Sequence, residues 1–413
     1  MKEVGVQTFS ESSVGPRTLS KSPFPEFEFP QVFYGGGTLL WLLVASCVLG
    51  AMAFYRDDSD SGLNHRQGFI GIIGVLIFIS AVYLPDSGMM FRPHPAIWRM
   101  LQGISLCYTG FLVFMLFQNI DDARQFMAWL DPSLGVPLPE QDYASDCRVY
   151  TPEDPDSNFA NLKNCIFDVY ILAHAIGWYV KMMVFRDVKL ALIISCFFEF
   201  MEITLRHQLA NFYECWWDSL VLDILVCNGG GIYLGYLTCR VFEMREYYWG
   251  VGKDNRNDEQ RFTLTRSAQQ FTPYSWLRYK WEMFSSCKMF ISTIWYIAFV
   301  NLVDLSNFYL KYLLWMPSNH WILLIRVLFW AMQAIIATRE YYEYVDSGFT
   351  KILGSHCWLA HLLVFLEWAF IVKNSAGLFT ESMPEWLQYT WTSIAASVIS
   401  ISFYLFYKDL NKK

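Results

Sequence analysis

Residues 198–231 read FEFMEITLRHQLANFYECWWDSLVLDILVCNGGG. Two apolar stretches meet here at a short polar turn, and the five acids Glu199, Glu202, Glu214, Asp218 and Asp223 are written into them. Each ionised group near the centre of a bilayer costs about 2.5–3.5 kcal/mol, so five acids in such a setting need a compensating charge. The basic side chain within the stretch is Arg206, with His207 beside it, and one arginine cannot balance five carboxylates. Glu199 and Glu202 are spaced i, i+3 and Glu214 and Asp218 i, i+4, so each pair shares a helix face. Asp223 lies about 140° round a continuous α-helix from Asp218 and joins them only if the helix starts late or bends; otherwise it serves behind the first ring of ligands. The missing positive charge points to a bound cation. An all-oxygen set suits Ca²⁺, Mg²⁺ or Mn²⁺ rather than zinc, and calcium accepts the largest number of oxygens. Buried ion pairs, partial protonation and solvent exposure at the membrane rim stay open as the plainer explanation.

Working outward, ten apolar stretches are long enough to cross a bilayer. They are 37–55, 68–84, 97–117, 166–185, 188–205, 219–242, 289–305, 321–338, 356–372 and 386–407. The chain of 413 residues is 54% hydrophobic, 18% aromatic and 17% charged, too little polar surface for a soluble protein. An all-α, polytopic integral membrane protein with about ten transmembrane helices is expected, with its chemistry inside or beside the bilayer. Residues 1–36 read as a mobile tail, 37–407 as the membrane domain and 408–413 as a second tail. Net charge −7 and the lack of a basic groove exclude nucleic acid as a partner. With a cytosolic amino terminus, 22 of the 31 Lys and Arg fall on the cytosolic side and 8 on the other, so both termini face the cytosol. The acidic loop 119–164 is then lumenal and the basic loop 243–288 cytosolic. Seven of the ten cysteines lie in or beside spans and read as packing residues, while Cys147 and Cys165 share the lumenal loop, where a disulfide between them is open.

His174, in HAIGW, sits well inside its span. A lone histidine on an apolar helix is commonly a hydrogen-bonded core residue, but the counted topology puts His174 in the same lumenal half as Glu199 and Glu202. A histidine beside a carboxylate-held cation is an arrangement for activating a hydroxyl. Trp216 and Trp217 match an interfacial aromatic belt. Asn211 suits a ligand or a cap. Asn228 and Gly229 to Gly231 allow either close helix packing or close approach of a lipid phosphate to bare backbone.

These motifs, HxxGW, FExxE, NFxECWWDxxxxDxxxCNGGG and FTPYSW at 271, resemble the base-exchange phosphatidylserine synthases of the endoplasmic reticulum. The resemblance runs from FRPHPAIWR at 91 to the last span. DPSLGVPLPEQDY at 131, NFYLKYLLWMP at 307 and Arg339-Glu340 look most like the type-2 class, which takes phosphatidylethanolamine. The resemblance implies calcium-dependent exchange of a phospholipid head group for L-serine without a nucleotide. It implies His174 as the essential histidine, with Glu199, Glu202, Asn211, Glu214, Asp218, Asp223 and Asn228 on required polar positions. It also implies product feedback through Arg92 and His94. Membrane lipids are the expected surroundings, and a homodimer is an open assembly.

Exchange of one phosphodiester alcohol for another conserves bond type, so no nucleotide is needed; the chain has no GxxxxGK[ST] and no DG dipeptide. His174 is then the base for the serine hydroxyl, with a phosphatidyl-histidine intermediate as the alternative. Rival readings are the same exchange on phosphatidylcholine, a cation transporter using the intramembrane acids, and a membrane acyltransferase. The lack of internal repeats counts against the transporter.

Overall fold

The computed structural model describes residues 43–48, 51, 61–85, 95–138, 146–153, 158–166, 169–243 and 281–410. Arg92, His94, the FTPYSW segment and the whole amino-terminal tail fall outside that set. The described residues hold no strand. The helices are α1 (Ser61–Tyr83), α2 (Pro95–Leu116), α3 (Ile120–Leu130), α4 (Ala160–Ile166), α5 (Val169–Phe185) and α6 (Val188–Leu205). After a 3-10 turn at Ala210–Phe212, a π-helix over Asp218–Asn228 runs directly into α7 (Gly229–Glu243). There follow α8 (Cys287–Leu313), α9 (Trp321–Asp346), α10 (Ser355–Asn374) and α11 (Glu385–Leu410). Five helical segments are long and apolar enough to cross a membrane: Pro95–Leu116, Asp218–Val241, Cys287–Leu313, Trp321–Asp346 and Ser355–Asn374. The chain is an all-α membrane protein. Val188–Leu205 reproduces the expected stretch residue for residue, and its N-cap is Asp187, whose carboxylate accepts the Leu190 N–H at 2.9 Å.

The helices pack around two apolar clusters. One joins Trp98, Trp178, Phe185, Ile194, Ile336 and Leu363. The other joins Met115, Met127, Phe198, Leu313 and Phe370. Arg326, the one basic residue that the count of sides places inside a span (321–338), is neutralised at their junction. Its guanidinium reaches Glu367 at 2.6 Å, Ser306 at 2.7 Å and Asn307 at 2.9 Å, and Tyr108 donates to the same carboxylate at 2.6 Å. Every nitrogen of the guanidinium is engaged and Glu367 is fully buried, the arrangement in which an intramembrane ion pair is tolerable. This network ties α2, α8, α9 and α10 together.

α5 and α7 approach most closely through glycine. A Cβ on Gly231 would stand 2.4 Å from the Ala175 carbonyl oxygen, and one on Gly235 would stand 2.8 Å from both the Tyr179 carbonyl oxygen and the Met182 Cβ. Of the two roles open for the glycine run, Gly231 takes close packing. Gly230 faces open space instead.

Candidate active site

The acids are carried by α5's two neighbours, α6 and the π-helix, and the winding of the latter settles how they meet. A π-helix closes its hydrogen bonds between residues five apart, so side chains five apart lie closer to one face than they do in an α-helix. Asp218, Asp223 and Asn228 are spaced by five. The Gly229 N–H still reaches back five residues to the Ile224 carbonyl, and α-winding resumes there. Asp223 therefore joins the others through a change of helical pitch, the late bend that the sequence required.

Glu199 and Glu202 lie beside each other, and so do Glu214 and Asp223. Charge–charge coupling links Glu202 to Glu199, Glu214 and Asp223, and links Asp218 to Glu199, Glu214 and Asp223. All five acids thus lie within electrostatic reach of one another. Glu199, Glu202 and Asp223 are buried. Glu214, on the turn outside the spans, has its carboxyl pushed up to about 7 by burial first and by the charges of Asp218 and Glu199 second.

Two residues fasten this cluster. The Asn228 amide donates to the Ser195 hydroxyl at 2.9 Å and to Glu199 Oε1 at 3.1 Å. Ser219 donates to Glu214 Oε2 at 3.3 Å. His174 Nδ1 lies 3.3 Å from Asp223 Oδ1. Gly229 sits at the seam between the two windings, and Asn211 lies on the 3-10 turn with its side chain outside the described set.

Whether these residues suit a cation can be tested on their atoms. Glu199 Oε2 and Asn228 Oδ1 are both buried acceptors without a hydrogen-bond partner. Neighbouring carboxylates repel unless a proton or a cation lies between them, and a cation can fill that role. The donors are oxygen throughout. Among the described residues, however, no three His, Cys, Asp or Glu side chains already converge on one ion. The set fits a hard cation in chemistry and charge, and binding one requires the carboxylate side chains to turn toward a common point.

The disulfide differs from the expected option. Cys147 pairs with Cys215, and Cys165 packs beside the bond without entering it. Cys215 adjoins Glu214, so the crosslink anchors the acidic loop to the turn that carries a site residue. The signal was available, since Cys215 lies outside the spans on the same side as Cys147. Trp217 also departs from a lipid-facing belt: it is 5% exposed and its indole N–H donates to the Cys147 carbonyl at 3.1 Å. Trp216, 66% exposed, keeps the outward role. Phe212 packs on Phe308 in a different cluster from Trp217, so Phe212, Trp216 and Trp217 do not form an aromatic cage.

Replacing Cys215 with Ser is expected to cost about 2–4 kcal/mol of stability, because it frees a loop of 68 residues, and to lower turnover through Glu214. Thermal unfolding with and without reductant measures the first effect. Equal melting of both forms would contradict it.

Two further motifs have structural explanations. Asp131 accepts from Trp321 Nε1 at 2.7 Å and from the Ser133 N–H and hydroxyl, clamping the DPSLG turn to the start of α9. The Trp321 N–H first, and the Ser133 groups second, hold its carboxyl well below the usual range. Glu340 is buried and accepts the Cys357 N–H at 2.8 Å, capping α10. A glutamine carbonyl could cap equally, so this position says little about the head group.

A family model described as phosphatidyl serine synthase matches residues 93–375. The chain is 38% identical over 362 residues to phosphatidylserine synthase 2 of Homo sapiens, covering 87% of this chain and 74% of that one. It is 38% identical over 375 residues to CDP-diacylglycerol--serine O-phosphatidyltransferase 2 of Oryza sativa subsp. japonica, covering 89% and 87%. With phosphatidylserine synthase 1 of Danio rerio it shares 36% identity over 356 residues, covering 85% and 74%.

Proposed function

The chain belongs to the phosphatidyl serine synthase family, and from that premise we propose that it replaces the ethanolamine of phosphatidylethanolamine with L-serine, in a calcium-dependent reaction. It is a phosphatidyltransferase of phosphatidylserine biosynthesis. The observation that carries the finer reading is the contact of His174 with Asp223 inside a group of five carboxyls.

With Nδ1–H donated to Asp223, the lone pair of His174 sits on Nε2 and can accept the serine hydroxyl proton. The serine oxygen then attacks phosphorus, the ethanolamine oxygen leaves, and Nε2 returns the proton to it. Asp223 orients the ring. Glu199, Glu202, Glu214 and Asp218 would hold calcium, with Asp223 at its edge; the bound ion would polarise the phosphoryl oxygens. Asn228 and Ser195 fix Glu199 in place, and Asn211 and Gly229 would contribute to substrate binding.

In this reading the chain crosses the endoplasmic reticulum membrane about ten times, both termini are cytosolic and the site opens toward the lumen. A Cys147–Cys215 disulfide suits that oxidising side. Ethanolamine is favoured over choline because carboxylates satisfy a primary ammonium's N–H donors, whereas a quaternary nitrogen needs aromatic faces that Phe212, Trp216 and Trp217 do not assemble. Equimolar labelled phosphatidylethanolamine and phosphatidylcholine should release ethanolamine the faster. Equal or faster choline release rejects the head-group assignment.

A second reading follows from the printed name of the rice relative, in which the phosphatidyl donor is CDP-diacylglycerol. The same carboxylates could serve it, and an assay supplying that donor separates the two.

A further inference from the structure

The lipid substrate brings an anionic phosphodiester into a site crowded with carboxylates, so a cationic side chain of the protein should meet it. Lys181 is placed for that. It stands seven residues beyond His174 on α5, which returns it to the same face, and helical side chains lean back toward the amino terminus, here toward His174. Its charge acts on both His174 and Glu199. The ammonium is held 2.7 Å from Asp304 Oδ2 on α8 and 4.3 Å over the Trp178 ring.

The pair differs in kind from Arg326–Glu367. There every guanidinium nitrogen is engaged and the carboxylate is sealed from its surroundings. Here both side chains keep about a quarter of their surface, at 27% and 23%. An ammonium carries three N–H donors, and among the described residues Asp304 is the hydrogen-bond partner of Lys181. Two donors remain for an incoming anion. The Arg326–Glu367 pair is closed, and this one is partly open.

We propose that Lys181 binds the phosphodiester of the lipid substrate, with Asp304 as the resting partner that it shares with or gives up to the phosphate. The inference rests on the phosphatidyl-transfer reading and adds the residue that recognises the group being transferred. Carboxylates and cation then handle the amine and the phosphoryl oxygens, while Lys181 keeps the anion from being repelled.

The test uses the purified full chain in micelles with a short-chain phosphatidylethanolamine, labelled serine and calcium. Lys181→Met should raise the KM for lipid about tenfold or more, the loss of one charge-assisted contact, with the KM for serine unchanged, and the double variant Lys181→Met/Asp304→Asn, which leaves no unpaired charge, should keep the raised lipid KM. Lys181→Arg should recover most of the lipid affinity, and Asp304→Asn should lower the KM for lipid. An unchanged lipid KM in an active Lys181→Met chain overturns the proposal. So does an equal fall in melting temperature and kcat for Lys181→Met and Asp304→Asn, which would make the pair a packing device. Should the unaltered chain fail to incorporate serine from any phospholipid, the reading of the reaction falls. Direct titration of the same short-chain lipid onto both chains then decides Lys181: weaker binding by Lys181→Met supports it, equal binding overturns it.

Discussion

Glu202→Gln, Glu214→Gln and Asp218→Asn are each expected to abolish serine incorporation, and excess chelator is expected to do the same to the unaltered chain. The amides keep shape and hydrogen-bonding capacity, so the chains should remain folded. What they remove is charge in a cluster whose five acids are mutually coupled and whose basic neighbours are too few. Loss of a cation that stabilises phosphoryl charge removes several kcal/mol from the transition state, about a thousandfold or more in rate. Because Glu199 Oε2 and Asn228 Oδ1 are buried acceptors without partners, added calcium should also raise the melting temperature of the unaltered chain. Each amide variant should lose that shift together with activity. Full activity in excess chelator would sink the metal reading and leave the carboxyls as a proton-sharing network.

His174→Ala is the second large effect, with turnover falling by about 10²–10⁴-fold, the range of a general acid–base residue. The calcium-induced thermal shift should persist, since His174 touches Asp223 through Nδ1 and is not needed as a ligand. Asp223→Asn should weaken turnover too, because an amide no longer holds the ring in the tautomer with a free Nε2. A His174→Ala chain that keeps its turnover returns His174 to the role of a core histidine.

Much of the fold was legible because bilayer thickness imposes a length and the apolar stretches obey it. Val188–Leu205 and the start of α9 at Trp321 fall where hydropathy puts them. α8 runs on to Leu313 and α9 to Asp346, past the apolar windows, because tertiary contacts extend helices that hydropathy alone would end. Within the loop 119–164, α3 is amphipathic and short and carried no spanning signal. The acids and His174 were legible as residue types whose cost in a membrane demands a purpose. Their convergence was not, because the expected i, i+5 separation of Asp218 and Asp223 assumed α-winding and the chain adopts a π-helix. Ser195 was hidden by its ordinariness, although it lies one turn before Glu199 on α6. Lys181 and Asp304 are far apart in sequence, and only packing of α5 against its neighbours brings them together. Arg92 and His94 lie outside the described residues and keep the regulatory role only as an expectation.

The most direct test of base exchange is a double-label experiment on the purified chain with phosphatidylethanolamine labelled in its head group, labelled L-serine and calcium, with no nucleotide added. Ethanolamine should appear in equal amount to the serine incorporated, both should stop with chelator, and added CDP-diacylglycerol should change neither. Serine incorporation that requires CDP-diacylglycerol and releases no ethanolamine would contradict the account.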